Sequence, residues 1–304
     1  ADRPGNVLAA DIVRHFSIRP ASDVRATSGT AEIATAPSAN PGQQIGISVP
    51  FDPSSARADF KVIDAAGNKS TTAVAAARWD ATLGIAYFTV PWNAVTDDAV
   101  VYSMVNNVRT DFADGTFLLQ ILPIVTGVEV SSVSSDGSSA TVQLFGYGFV
   151  AGNNSEYRFG TETITDAGIN TGPYVDSVYD SSISQSVNGR ATVTVPLSDG
   201  VFGPITVKTA GGTSASFSAS LASITSTALS GTPANAAQAS ANPGQAITLN
   251  GAGLSTSTDV LLRWIDVNGN PQMTRLSPSA AEADGSAATL TIPAYANGAF
   301  SLQV

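Results

Sequence analysis

The chain has 304 residues, a net charge of −10 and no cysteine. Its only lysines are Lys61, Lys69 and Lys208, so it lacks the basic stripe that phosphate contacts need and no nucleic-acid partner is expected. The missing cysteines exclude a disulfide framework and a Cys-ligated zinc site, and the apolar runs are of strand length, so no membrane span is expected.

The opening segment, residues 1–20, has no repeat partner elsewhere in the chain. Leu8, Ala10, Ile12, Phe16 and Ile18 fall on one face of an extended strand, with Asp11, His15, Ser17 and Arg19 on the other. Arg14 breaks the pattern. No signal peptide is visible, so Ala1 reads as the start of a mature exported chain.

A first module is expected over 21–125. Within it Ser38-Ala39-Asn40-Pro41-Gly42-Gln43 recurs identically as Ser240-Ala241-Asn242-Pro243-Gly244-Gln245, an offset of 202. Ser28-Gly29-Thr30, Ile63-Asp64, Gly67-Asn68 and Thr89-Val90-Pro91 keep that offset with their partners, which is the signature of a repeated structural unit. After Pro91 the register breaks. Gly115 to Ile121 then matches Gly298 to Val304 at offset 183, so the first copy carries a 19-residue insertion within 92–114. Ala99 to Val105 inside it reads as an extra strand, expected at a sheet edge or in a protruding hairpin. Asn40-Pro41-Gly42 reads as a tight turn, because Pro fixes one φ and Gly supplies the positive one. Asp64-Ala65-Ala66-Gly67-Asn68 reads as a hairpin turn.

A second module is expected over 126–222. Ala140 to Phe145 and Arg190 to Val195 alternate apolar and polar residues between turn signals, the pattern of antiparallel strands. Phe145-Gly146-Tyr147-Gly148-Phe149, then Tyr157-Arg158-Phe159-Gly160, Val195-Pro196 and Gly203-Pro204-Ile205-Thr206-Val207 resemble the TIG/IPT family of immunoglobulin-like domains. The resemblance implies an immunoglobulin-like sandwich, and Asn250-Gly251-Ala252-Gly253-Leu254 keeps its first glycine pattern in a third module, 223–304. The first module departs from it, with Val49-Pro50-Phe51-Asp52-Pro53 at that place. The expected fold is therefore all-β, a tandem of immunoglobulin-like antiparallel β-sandwiches. The third module ends at the counterpart of about Thr209, so by comparison with the second it is expected to lack a final strand.

Little in the chain points to chemistry. His15 is the single histidine, and a Ser-His-Asp triad would have to run through it. Asp266-Val267-Asn268-Gly269-Asn270 has oxygen ligands at Asp266, Asn268 and Asn270 in the spacing of a calcium loop, but the bidentate acid such loops carry is missing, and a hairpin turn is the competing reading. Asp97-Asp98, and Asp176 with Asp180, are the carboxylate pairs a glycosidase would use, with solvated loop acids as the alternative. Trp264 lies in an apolar strand and reads as core, whereas Trp92, just past a strand end, is the candidate exposed binding aromatic. The expectation is a non-enzymatic extracellular structural or adhesive protein of a bacterial surface, with no cofactor. Its partners would be other copies of itself, through residues 1–20 donated to a neighbour's third module, or adjoining modules of a longer chain. The alternative is a carbohydrate- or protein-binding accessory module, with surface glycans as ligands.

Overall fold

The computed structural model describes residues 23–134, 138–169, 171–197, 204–266, 268–296 and 301–303. Residues 1–22, and with them the face Leu8, Ala10, Ile12, Phe16 and Ile18 and the residue His15, lie outside the described residues. Among the described residues no helix is long and apolar enough to cross a membrane.

Module 1 holds β1 (Thr30–Ala31), β2 (Ser38–Ala39), β3 (Gln44–Ser48), β4 (Ala56–Ile63), β5 (Lys69–Ala75), β6 (Arg78–Asp80), β7 (Ile85–Thr89), β8 (Asp97–Val105) and β9 (Val108–Ile121). Module 2 holds β10 (Ile124–Val133), β11 (Ser139–Tyr147), β12 (Ser155–Phe159), β13 (Glu162–Asp166), β14 (Tyr174–Asp180), β15 (Gln185–Pro196), β16 (Ile205–Thr209) and β17 (Gly212–Thr213). Module 3 holds β18 (Ser220–Thr225), β19 (Ala246–Ala252), β20 (Val260–Ile265), β21 (Pro271–Leu276), β22 (Ala280–Ala281), β23 (Ala287–Thr291) and β24 (Ser301–Gln303). β10 and β18 pair with β11 and β19, so modules 2 and 3 each begin a few residues before the boundary expected from sequence.

Each module is a two-sheet sandwich. Module 1 packs β3-β7-β6 against β2-β9-β8-β4-β5, and module 3 packs β18-β19-β23-β22 against β21-β20-β24. Module 2 packs β10-β11-β15-β14 against a sheet whose order is β1-β17-β16-β12-β13. The alternation read from sequence is the burial pattern: along β11, Ala140, Val142 and Leu144 point inward and Thr141 and Gln143 outward. Phe60 and Phe88 face each other's sheets in module 1, and Tyr157 and Phe159 do so against Leu144 and Val193 in module 2. Each such side chain contributes about 1.5–3 kcal/mol by leaving water, which is how sandwiches of this size hold together without disulfides.

The offset of 202 maps strand onto strand: β3 to β19, β4 to β20, β5 to β21 and β7 to β23. The insertion breaks the map in a way the sequence did not show. β8 is a strand, as expected, and turns into β9 through a hairpin whose tip at Val105–Val108 is exposed, but it lies inside the sheet between β4 and β9, not at an edge. In module 3 the counterparts β20 and β24 pair directly. The expectation of a lacking final strand also changes. β24 stands where β9 stands, and β9 is the last strand of module 1. The tail of module 2 that prompted it, β17 with Phe217 bonded to Ile205, has no counterpart in module 1 either.

Candidate functional site: the joints between modules

The repeated hexapeptide builds a clasp. Ser38 Oγ accepts from the Ala26 N–H at 3.1 Å, Asn40 Oδ1 from Ser28 N–H at 2.9 Å, and Gln43 Oε1 from Asn40 N–H at 2.9 Å, while Gln43 Nε2 donates to Arg25 O at 2.7 Å. In module 3 the same four bonds recur: Ser240 with Ala228, Asn242 with Ser230, Gln245 with Asn242 and Gln245 with Thr227. The turn itself is set by Pro and by Gly42 and Gly244 at φ of +74° and +79°, which only glycine adopts without strain. Three side chains thus satisfy the backbone of a loop 12 to 18 residues upstream.

In module 1 this clasp is covered by module 2. Asn40 is 1% exposed and its Nδ2 donates to Ser28 O and to Leu122 O, in the connection between β9 and β10. β2 pairs in parallel with Gln120–Ile121. Trp92 sits over Gly42, where a Cβ would fall 2.3 Å from its ring, and packs on Tyr147 of module 2 at 4.6 Å between centroids. Pro41 lies against Gly148. The candidate exposed aromatic Trp92 is therefore a half-buried joint residue, and the exposed tryptophan is Trp79 at 52%. The signal missing from sequence is Tyr147, which another module supplies.

Further contacts close this joint. β1 of module 1 joins the sheet of module 2 by pairing with β17, and Glu32 N–H donates to Gly211 O. Asn93 and Asn188 exchange bonds across the joint: Asn188 N–H to Asn93 Oδ1 at 2.9 Å, Asn93 Nδ2 to Ser186 O, and Asn188 Nδ2 to Ile63 O. Ile63, Val95 and Val150 form a small apolar cluster there. Asp166, fully buried, accepts from the N–H groups of Gly152 and Gly168 and so braces the loop whose Ile169 touches the Gly67 turn. Burial raises its carboxyl above the usual carboxylate value.

The second joint is more polar. Asp259 accepts from Val130 N–H, and Arg275 reaches Val130 O, Glu129 and Asp259. Burial pushes Asp259 up, against the opposing pull of the Val130 N–H and Arg275. Leu261 of module 3 enters the core of module 2. Between them lies a cavity of about 230 Å³ lined by Val128, Phe217, Leu261 and Asp259 among others.

The other sequence candidates fall outside the joints. Asp266 accepts from the N–H groups of Asn268 and Asn270 and from Asn270 Nδ2 and Gln272 Nε2. Asp64 accepts from Asn68 in the same way. These donors occupy the carboxylate lone pairs that a calcium ion would take, and they hold Asp266 and Asp64 below the usual carboxylate value; among the described residues no group of three or more acidic or His side chains is placed to hold a metal. Asp97 pairs with Lys69, Asp176 with Arg190, and Asp180 takes the Tyr147 and Ser182 hydroxyls. None of the cavities at the joints or beside the Ser240–Gln245 clasp is lined by Asp97, Asp98, Asp176 or Asp180.

No family model and no curated protein sequence matches the chain. Among solved structures it is similar to a tetra-tandem repeat in the extending region of a large adhesion protein, at 13% identity over 86% of this chain and 69% of that one, with a TM-score of 0.19. It is also similar to the FN1–FN3 domains of chicken CNTN1, at 10% identity over 91% and 97%, TM-score 0.21. A third is SGBP-B of the Bacteroides ovatus mixed-linkage glucan utilization locus, in complex with a mixed-linkage heptasaccharide, at 11% identity over 95% and 74%, TM-score 0.20.

Proposed function

We propose that the chain is a stiff, non-enzymatic segment of a bacterial extracellular surface protein, a stalk or fibre that gives reach. One observation carries this reading. A loop of module 1 pairs as a strand in the sheet of module 2, so the first joint is built like a domain interior rather than a linker. The clasp, the Asn93–Asn188 exchange and the TIG/IPT-like glycine turn at Gly146–Gly148 all serve that joint. Three stacked modules with strands of this length predict a particle on the order of 100 Å long. Small-angle scattering of the chain tests this; a compact particle of about half that length would overturn it.

A second reading is a binding module for surface glycans, and the exposed Trp79 favours it. Glycan-array binding lost in Trp79→Ala would replace the stalk reading with that one.

A further inference from the structure

We infer that the second copy of the hexapeptide, Ser240–Gln245, is an open joint that receives a further immunoglobulin-like module of the module 2 kind. The inference rests on the stalk reading and says how such a stalk extends.

The two clasps have the same sequence and the same internal bonds, yet different surroundings. Ser38, Ala39, Asn40 and Pro41 are buried, whereas Ser240, Ala241 and Asn242 are only partly so and Pro243 and Gly244 are exposed. The space above Gly42 holds Trp92; among the described residues nothing lies within 4 Å of where a Cβ on Gly244 would be. In module 1, Ile121 and Leu122 run beside Ala39, with the Leu122 N–H donating to Ala39 O, and Ile121 packs in one core cluster with Ala39, Ile45 and Val90. In module 3 the counterparts of Ala39, Ile45 and Val90, which are Ala241, Ile247 and Ile292, line with Leu302 an open groove of about 410 Å³; Ile247 and Ile292 are buried like their counterparts, and the open part is the strip beside Ala241.

An occupant must therefore bring what covers the first clasp. These are an extended apolar stretch like Ile121-Leu122-Pro123, whose backbone bonds beside Ala241, and a Gly-aromatic-Gly loop like Gly146-Tyr147-Gly148, which rests on Pro243 and Gly244. Module 2 carries the loop, and Leu122-Pro123, which lead into it, carry the stretch beyond Ile121, whose own counterpart is Val304. One difference bears on fit. Ala294, not tryptophan, follows Pro293, and Tyr295 packs on Trp264, so the ring over Gly244 has to come from the incoming module.

The test uses register. Because Val304 matches Ile121, a second copy of residues 122–219 is appended directly after Val304, and in a control the same copy follows a flexible Gly/Ser linker. Hydrogen exchange is read at the amides of residues 228–242. In the in-register fusion exchange there should slow roughly tenfold relative to the parent chain, while the linker control should show less protection. Pro243→Asp, at a position exposed in the parent, should remove the protection and leave the rest of the fusion unchanged. Equal exchange in parent and in-register fusion overturns the inference. So does protection in the parent that rises with its own concentration, which would make the occupant a second copy of this chain. If the appended module does not fold, a peptide of residues 119–125 titrated into the parent takes its place, and absence of protection at 228–242 then overturns the inference. None of these outcomes depends on the length of the particle, so failure here and failure of the stalk reading are separate results.

Discussion

At the scale of single residues, two asparagines in the same motif have unequal tasks. Asn40 bonds Ser28 on both sides and also the Leu122 carbonyl, and is itself buried in the joint. Asn242 bonds Ser230 on both sides in the same way but is only partly buried. Asn40→Ala should cost about 2–3 kcal/mol, because it strands buried partners, and Asn242→Ala about 1 kcal/mol; denaturant titration followed module by module checks the difference. The aspartates separate by pH. Asp64 and Asp266 have folded values below 3.8, so the unfolded chain binds protons more readily and the turns they hold lose stability as pH falls below that value. Asp166 and Asp259 are raised, so their ionisation weakens the fold as pH rises from 3.8 through their folded values. Carboxyl NMR should find the first pair titrating below ordinary aspartates and the second above. Millimolar calcium should leave the melting temperature within about 1 °C of that in chelator, since a ligand stabilises only by binding the folded state; a larger rise would restore Asp266, Asn268 and Asn270 as a metal site.

Among elements, β8 is the informative one. Ala99 and Val101 project from it into the module 1 core, so Val101→Ala should cost about 2 kcal/mol, whereas an exposed edge position would cost under about 0.5 kcal/mol. Thermal or denaturant unfolding decides between them. That β8 is a strand was legible, because Ala99 to Val105 has the composition and the flanking turns. Its place was not, because period-two alternation reports which way side chains point and carries no information on strand order. The same limit explains Trp92. Its exposure depends on Tyr147, which lies in a different module, and nothing local to Pro91-Trp92-Asn93 encodes that meeting. The hexapeptide was legible as a turn through Pro and Gly, but the roles of Ser, Asn and Gln depended on a backbone that folds back from residues 25–28.

For the whole molecule, the property at issue is whether the modules move independently. Ile63, Val95 and Val150 are each less than a tenth exposed, and an ionised side chain among them is strongly disfavoured. Val95→Asp should leave the cores of all three modules folded but open the first joint. Hydrogen exchange at 30–31 and 212–213 should rise together, and scattering should show a broader range of particle lengths. An unchanged scattering profile would mean that the strand pairing alone keeps the joint rigid.

That pairing also bears on how the chain is made. Thr30 meets Thr213, a partner that a ribosome delivers about 180 residues after it, and closing so long a loop comes late in folding. Modules 1 and 2 are therefore not finished in the order in which they are synthesised. The first can collapse around Phe60 and Phe88 as soon as Ile121 is in place, but its loop at 30–31 waits for the end of the second. A chain threaded N-terminus first through a narrow channel would complete this joint only on the far side, once Thr213 had followed Thr30 across.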